Sequence, residues 1–178
     1  MQRYNIAFYP HQQDFASHCV SFAVSNFFDA ADDYLLDGVT AHPHVTLCQF
    51  EAEEDQLPDI WNRALQICAP KRMLKLGELF IQERPNHIWA GLEIIKTPEL
   101  EREQAELVKM LAGQGIKTFT KPGADYFSHL TFASLIEVPE RMMRSAVTGA
   151  EQPFFLSLGR TGENGVYQRI IFPEAGPA

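Results

Sequence analysis

Two short stretches of the chain share one design. His-Val-Thr-Leu occupies positions 44–47, and His-Leu-Thr-Phe occupies positions 129–132, 85 positions further on. Both follow the order His, apolar, Thr, apolar. An imidazole takes up and releases protons near neutral pH, and a threonine hydroxyl donates hydrogen bonds. The repeated pattern therefore indicates a site in which protons move.

The four polar side chains of the repeat suit one class of reaction. His44 and His129 can serve as one general base and one general acid, which a hydrolysis needs on opposite sides of the reacting atom. The hydroxyls of Thr46 and Thr131 can donate to oxygen atoms that gain charge. The combination favours an in-line displacement at phosphorus, a scheme that requires no metal ion.

The pattern also predicts the structure that positions these groups. In a β-strand successive side chains point to opposite faces, so His44 and Thr46 would share an accessible face while the apolar residues between and after them face the core. A single His in a strand is more often a solvated edge residue or a satisfied core residue. Two copies in matching contexts favour a functional site instead.

Apolar spacing and turn residues predict the remaining elements. Helices are predicted from Asp14, as N-cap, to about Phe28, around residues 57–68, from Thr97 to Gly113, and briefly after Pro139. Loops are predicted at 29–38, which is acidic, and at 121–125, with a frayed tail at 176–178. Strands are predicted at 3–9, 44–50, 73–81, 88–95, 126–135, 154–158 and 166–172, the third and fourth forming a hairpin and the last two a closing hairpin around 162–165.

Composition narrows the range of partners. The chain has 178 residues, of which 46% are hydrophobic, and a formal net charge of −8. This length predicts a single domain over residues 1–178. The net charge argues against binding to duplex nucleic acid, although a cleft can still hold one small phosphorylated ligand. We expect a monomer.

Cysteines and the N-terminus bear on location. Cys19, Cys48 and Cys68 are widely spaced and embedded in apolar patterns, which predicts buried thiols in a reducing compartment. The first ten residues contain no long apolar stretch, so neither a signal peptide nor a membrane span is predicted. We therefore expect a cytoplasmic protein without a membrane partner.

On its two motifs the chain resembles the 2H phosphoesterase superfamily, whose signature is a pair of His-x-Thr/Ser-apolar motifs about half a chain apart. It looks most like the bacterial RNA 2′,3′-cyclic phosphodiesterase group, also called 2′-5′ RNA ligase-like proteins. The resemblance implies an α+β fold of two lobes related by a pseudo-twofold axis. Antiparallel sheets would line a central cleft, with the helices outside.

The resemblance also implies roles for the motif residues. His44 would donate a proton to the leaving oxygen, and His129 would activate water. Thr46 and Thr131 would bind the phosphate. The implied activity is a cyclic phosphodiesterase without cofactor or metal, with 2′-5′ RNA ligation as the reverse reaction.

The closing hairpin is similar to a C-terminal hairpin that often lends a tyrosine to the cleft in that superfamily. Tyr167 follows the turn and Arg160 precedes it, so both are candidate cleft contacts, with an ordinary strand Tyr and turn Arg as the equal alternative. The net acidity and the lack of an obvious basic cluster disfavour a long RNA substrate. We expect a small cyclic nucleotide or an RNA terminus as substrate.

Three alternatives stand beside this prediction. The same cleft could hold a nucleotide or an RNA end with little turnover. A zinc site could form from His42, His44 and His129, although spacing suggests no fourth ligand. A role in partner binding would rest only on the acidic stretch at 29–37.

Overall fold

The structure is a computed structural model that describes residues 1–84, 87–140, 149–162 and 165–173, with the side chain of residue 84 left out. The short helix predicted after Pro139, the middle of the closing turn and the tail at 176–178 lie outside the described residues.

Eight strands and three α-helices make up the described part of the chain. They are β1 Gln2–Pro10, α1 Gln13–Phe27, β2 Ala31–Leu35, β3 Val45–Ala52, α2 Leu57–Ile67, β4 Lys71–Arg84, β5 His87–Ile94, α3 Pro98–Gly113, β6 His129–Leu135, β7 Glu151–Thr161 and β8 Tyr167–Phe172.

The helices form where apolar spacing predicts them. In α1 one face is buried, including Phe15, Cys19 and Phe22 at three- and four-residue spacing. In α3 the side chain of Thr97 accepts a hydrogen bond from the backbone N–H of Leu100, as an N-cap does. The prediction of Asp14 as the N-cap of α1 is wrong, because the helix starts at Gln13 and Asp14 lies within its first turn.

The strands form two antiparallel halves that are joined into a closed ring of pairings. One half has the order β3-β1-β7-β8 and the other has the order β2-β6-β5-β4. They join where β4 pairs with β7 and where β3 pairs with β6. The two motif strands, β3 and β6, therefore meet at one of these two joints.

Elements that precede one motif strand in the sequence pair with, or pack on, the other motif strand. Strand β2 precedes β3 in the chain but pairs with β6, and α1 packs on β6. In the same way Thr118, which precedes β6, forms a bridge with Phe50 of β3, and α3 packs on β3. This exchange relates the two halves by a pseudo-twofold arrangement and confirms the expected α+β fold with antiparallel sheets.

The stretch at 29–38 is not a loop as predicted. It contains a 3-10 turn at Phe28–Ala30 and then strand β2, and both Tyr34 and Leu36 are buried. The two aspartates of β2 face solvent, so its sequence reads as a polar loop although Tyr34 packs against Trp89. A strand of five residues with one buried aromatic side chain has too short a pattern to be recognised.

Several strand boundaries also differ from the predicted ones, and β7 spans residues 151–161 rather than 154–158. The second motif strand starts at His129 rather than at residue 126, because a 3-10 turn at Gly123–Asp125 precedes it and Gly123 has a φ of 66°. Strand β4 spans residues 71–84 and is longer than predicted, since its first residues pair with β7.

The three cysteines are buried and form no disulfide, as their apolar surroundings predict. Within the described residues, every helix is too short or too polar to cross a membrane.

Candidate active site

The cleft between β3 and β6 contains all four motif side chains. His44, Thr46, His129 and Thr131 line one cavity of about 400 Å³. Both histidines stand at the N-terminal end of a motif strand, and each threonine lies two residues further along. The strands thus bring together the groups that the sequence places 85 positions apart.

The two imidazoles are held in the same way. Nδ1 of His44 lies 2.9 Å from the carbonyl oxygen of His42, and Nδ1 of His129 lies 2.8 Å from that of Phe127. In each case Nδ1 donates its proton to the carbonyl oxygen two residues earlier, so proton exchange is left to Nε2 on the opposite edge of the ring. Identical backbone contacts therefore select the same tautomer at both positions.

The surroundings of the two rings differ. His44 is 6% exposed and stacks on Tyr167, with 4.8 Å between ring centroids. His129 is half-buried and stacks on Phe127 at 5.0 Å, with the edge of Phe80 at 5.6 Å. One histidine is enclosed and the other is open to water.

Burial has a direct effect on the first histidine. It lowers the pKa of His44 to about 4, because the imidazolium form loses its hydration. Repulsion from His129 and His42 lowers the pKa further, while the hydrogen bond to the carbonyl of His42 opposes the shift. His44 is therefore neutral at pH 7.

Buried polar side chains fix the two threonines. Nδ2 of Asn5 donates to Oγ1 of Thr46 at 2.9 Å. The hydroxyl of Tyr126 donates to the carbonyl oxygen of Thr46 at 2.6 Å, and that of Tyr34 lies 3.4 Å from the carbonyl oxygen of Thr131. Tyr126 and Thr46 lie in opposite halves of the sequence, and so do Tyr34 and Thr131. Each threonine is therefore contacted by a tyrosine from the other half of the chain.

The rest of the cleft has an aromatic side and a polar side. The aromatic wall, which we define as Phe80, Trp89 and Phe127, lies on the side of His129. The polar side includes Gln49, Thr120 and Lys121.

Tyr167 and Arg160, the two hairpin residues predicted as possible cleft contacts, do not line the cavity of the motif residues. Tyr167 is fully buried behind His44, and its hydroxyl donates to Oγ of Ser157 at 2.8 Å. It therefore packs against the catalytic candidate and does not line the cavity. Arg160 is exposed, pairs with Tyr4 in the β1–β7 ladder and lines a separate polar groove.

The described histidines do not form the zinc site considered from sequence. Among the residues that the structure describes, one group of possible metal ligands has its atoms within 4.8 Å of one another, and it consists of Asp32, Asp33 and His87. The ring of His42 instead meets the edge of Tyr9, with 6.4 Å between centroids.

Several residues of the site were not predicted. Asn5 is the one polar residue in the run Tyr-Asn-Ile-Ala-Phe of the first strand, and a buried polar side chain of this kind commonly has a specific partner. Tyr34 and the aromatic wall carry no local signal, because only the tertiary fold brings them to the motifs.

Comparison with known proteins gives matches in structure alone. No protein-family model matches the chain, and no curated protein matches it in sequence. A crystal structure of a phosphoesterase is similar with a TM-score of 0.65 and 16% identity, covering 95% of this chain and 93% of that chain. The PDE domain of MHV ns2 is similar with a TM-score of 0.53 and 15% identity, covering 91% of this chain and 100% of that chain.

The third structure is that of E. coli LigT complexed with 3′-AMP. Its TM-score is 0.58 at 17% identity, and the match covers 95% of this chain and 92% of that chain. Likeness at such identities is a likeness of fold. The chain therefore has the α+β fold of these phosphoesterase structures, which is the fold that its resemblance to the 2H phosphoesterases implies.

Proposed function

We propose that the chain is a metal-independent phosphodiesterase that hydrolyses a 2′,3′-cyclic phosphate on a nucleotide or at an RNA end. One observation carries the proposal: two imidazoles of the same tautomer and two threonine side chains line one cavity. A cyclic phosphodiester needs a base for water, an acid for the leaving oxygen and donors for the phosphoryl oxygens, and these four groups are of the required types.

The difference in burial supports an assignment of roles opposite to the one that the resemblance implies. The low pKa of His44 leaves its Nε2 unprotonated at pH 7, so it is free to accept a proton from the attacking water, as a weaker base than an ordinary histidine. As the water oxygen bonds to phosphorus, the bond to the 2′ or 3′ oxygen breaks. In this scheme His129 gives that oxygen a proton from Nε2, since its Nδ1 is held by the carbonyl oxygen of Phe127.

The threonines act on the phosphoryl oxygens. Because Oγ1 of Thr46 accepts a hydrogen bond from Asn5, its own hydrogen can point into the cleft. Thr131 lies at the corresponding position of the other strand. Two donors on opposite sides would stabilise the charge that grows on the non-bridging oxygens.

The aromatic wall supports a nucleotide as substrate. Phe127 is 40% exposed although it is a large apolar residue, and it stands beside Phe80 and Trp89 at the same cavity. Aromatic faces of this kind stack with nucleobases. The ligand 3′-AMP in the E. coli LigT structure, a protein of the same fold, agrees with this reading. Ligation of an RNA end would be the same displacement with a ribose hydroxyl in place of water: its oxygen bonds to phosphorus, and the bond to the 2′ or 3′ oxygen breaks.

Phosphorus NMR with the four nucleoside 2′,3′-cyclic phosphates tests the proposal. We expect the cyclic phosphate signal to be replaced by that of one monoester, and the isomer formed identifies which bond breaks. His18→Ala, on the exposed face of α1, serves as a control for His44→Ala and His129→Ala. Binding of the products without any turnover of the cyclic phosphates would favour the nucleotide-binding alternative.

A further inference from the structure

A basic strip runs from the cleft along the outer side of β3. We define it as Arg3, Lys117, Phe119 and Lys121. Phe119 and Lys121 line the cavity of the motif residues. The segment from Lys117 to Phe119 is extended and pairs with β3, since Lys117 accepts a backbone hydrogen bond from Glu51 and Phe119 donates one to Gln49. In an extended segment residues 117 and 119 share one side. Lys121 follows a bend at Thr120 and lines the same cavity as Phe119.

Phe119 holds two cations at the edge of the cleft. The guanidinium carbon of Arg3 lies 4.7 Å from the centre of its ring, and Nζ of Lys117 lies 4.8 Å from it. Both distances are those of cation–π contacts. The two side chains remain 46% and 66% exposed, so they are ordered by the ring and still open to a ligand.

One carboxylate stands between these cations. Oε2 of Glu51 lies 3.5 Å from Nζ of Lys117, and Oε1 lies 3.8 Å from Nε of Arg3. Both separations exceed those of strong charge-assisted hydrogen bonds. Glu51 is 24% exposed, which is less than either cation. It offsets one of the three positive charges of the strip, and Asp125, which lines the same cavity as Lys121, offsets another. An excess of one positive charge remains in a chain whose net charge is −8.

We propose that the strip binds the backbone phosphate of the nucleotide next to the reacting one, so that the substrate is the end of a single-stranded nucleotide chain and not a lone nucleotide. This inference rests on the proposed function. In the proposed scheme the reacting cyclic phosphate would lie at the histidines, in the cavity that Phe119 and Lys121 also line. The ring of Phe119 contacts Arg3 and Lys117, and Arg3 lines the neighbouring polar groove. Positive side chains that follow an aromatic residue out of a pocket are the arrangement by which single strands are held.

Binding experiments without turnover test the strip directly. A fluorescein-labelled RNA hexamer with a 3′-phosphate is titrated by anisotropy, and a nucleoside 3′-monophosphate competes with it. We expect the protein to bind the hexamer at least tenfold more tightly. Arg3→Gln/Lys117→Gln should lose most of that preference, and the slope of log affinity against log salt should fall by about 0.7 for each lost phosphate contact. Lys75→Gln/Lys109→Gln, which removes two exposed lysines of β4 and α3, is the matched control.

The outcomes separate this inference from the proposed function. Equal affinity for hexamer and monophosphate would overturn the proposal that the strip binds a backbone phosphate. Equal losses of hexamer affinity in the strip variant and in its control would overturn it as well. Turnover of mononucleotides together with either result leaves the proposed function standing. A preference for the hexamer that depends on the strip, with no turnover of any cyclic phosphate, leaves the strip standing and overturns the enzyme. Lys117→Gln alone serves if the double variant melts at a lower temperature.

Discussion

Asn5 donates from Nδ2 to Oγ1 of Thr46 across 2.9 Å, although 41 positions separate the two residues. Asn5 has no exposed surface, and its Oδ1 has no partner among the described residues. A buried amide oxygen without a partner is costly. We infer from this contact that Asn5 positions the side chain of Thr46.

Asn5→Leu should lower kcat/KM by roughly 10- to 100-fold, because a misdirected Thr46 hydroxyl loses its proposed hydrogen bond to the charged phosphoryl oxygen. The substitution keeps the approximate shape of the side chain and removes the amide that directs the hydroxyl of Thr46. Thr46→Val should have a similar effect. In a double-mutant cycle the combined variant should be no worse than Thr46→Val alone. Additive losses would show that Asn5 acts through packing instead.

Replacing either histidine with alanine should lower kcat by roughly 10²- to 10⁴-fold, because each removal takes away one proton-transfer group. The double variant His44→Ala/His129→Ala should be little worse than either single one, since an acid without its base has lost most of its use. Steady-state rates on one cyclic nucleotide measure both effects. If His18→Ala falls as far as the two motif variants, the loss reflects folding and not chemistry.

The stability of the protein should depend on pH through His44. Its pKa is about 4 in the fold and about 6.5 in the unfolded chain, so the unfolded chain binds a proton first as the pH falls. The contribution of the neutral ring is complete above pH 6.5 and is lost toward pH 4. Relative to His44→Gln, the unfolding free energy should fall by about 2 kcal/mol between pH 7 and pH 4.5, as measured with urea. Parallel curves for the two proteins would contradict the low pKa.

Gly159→Ala should weaken both stability and activity. A Cβ at this position would lie 2.5 Å from the ring of Tyr167 and 2.5 Å from the carbonyl oxygen of Arg169, so the ring that supports His44 must move. Overpacking of this kind costs about 1–3 kcal/mol. Gly113→Ala, where an added Cβ meets nothing within 4 Å, is the control and should not lower the melting temperature. Unaltered kinetics in Gly159→Ala would mean that the stacked Tyr167 does not position His44.

Turnover should survive exhaustive chelation, because the acid, the base and the phosphate donors are all side chains in the proposed scheme. The assay compares rates before and after dialysis against EDTA. Loss of activity that zinc or manganese restores would contradict the scheme. Asp32→Asn/Asp33→Asn would then show whether the exposed group near His87 holds the ion.

The sequence alone predicts the part of the site that is formed by the two repeated motifs. Period-two alternation at 44–47 and 129–132 predicts which side chains share a face, and the structure places all four polar ones at one cleft. Local patterns also predict the long helices, because their buried faces recur over three or more turns.

Long-range contacts account for what sequence could not supply. Arg3 and Phe119 are 116 positions apart, and no local pattern joins them. The basic strip was therefore invisible in a chain whose composition is acidic. Strand β2 was missed for a related reason, since Tyr34 is stabilised by Trp89 of a distant strand and not by its own neighbours.

Between β3 and β6 the described residues show a single paired position, Val45 with Leu130. Each of these residues directly follows a catalytic candidate, His44 or His129. This joint is also held by Thr118, which bridges to Phe50 of β3, and by Tyr126, whose hydroxyl donates to the carbonyl oxygen of Thr46. The spacing of the two imidazoles therefore depends on these contacts and also on the seven paired positions of β1 with β7 elsewhere in the ring. Substitutions in β7 that alter sheet twist should change the reaction without touching the cleft.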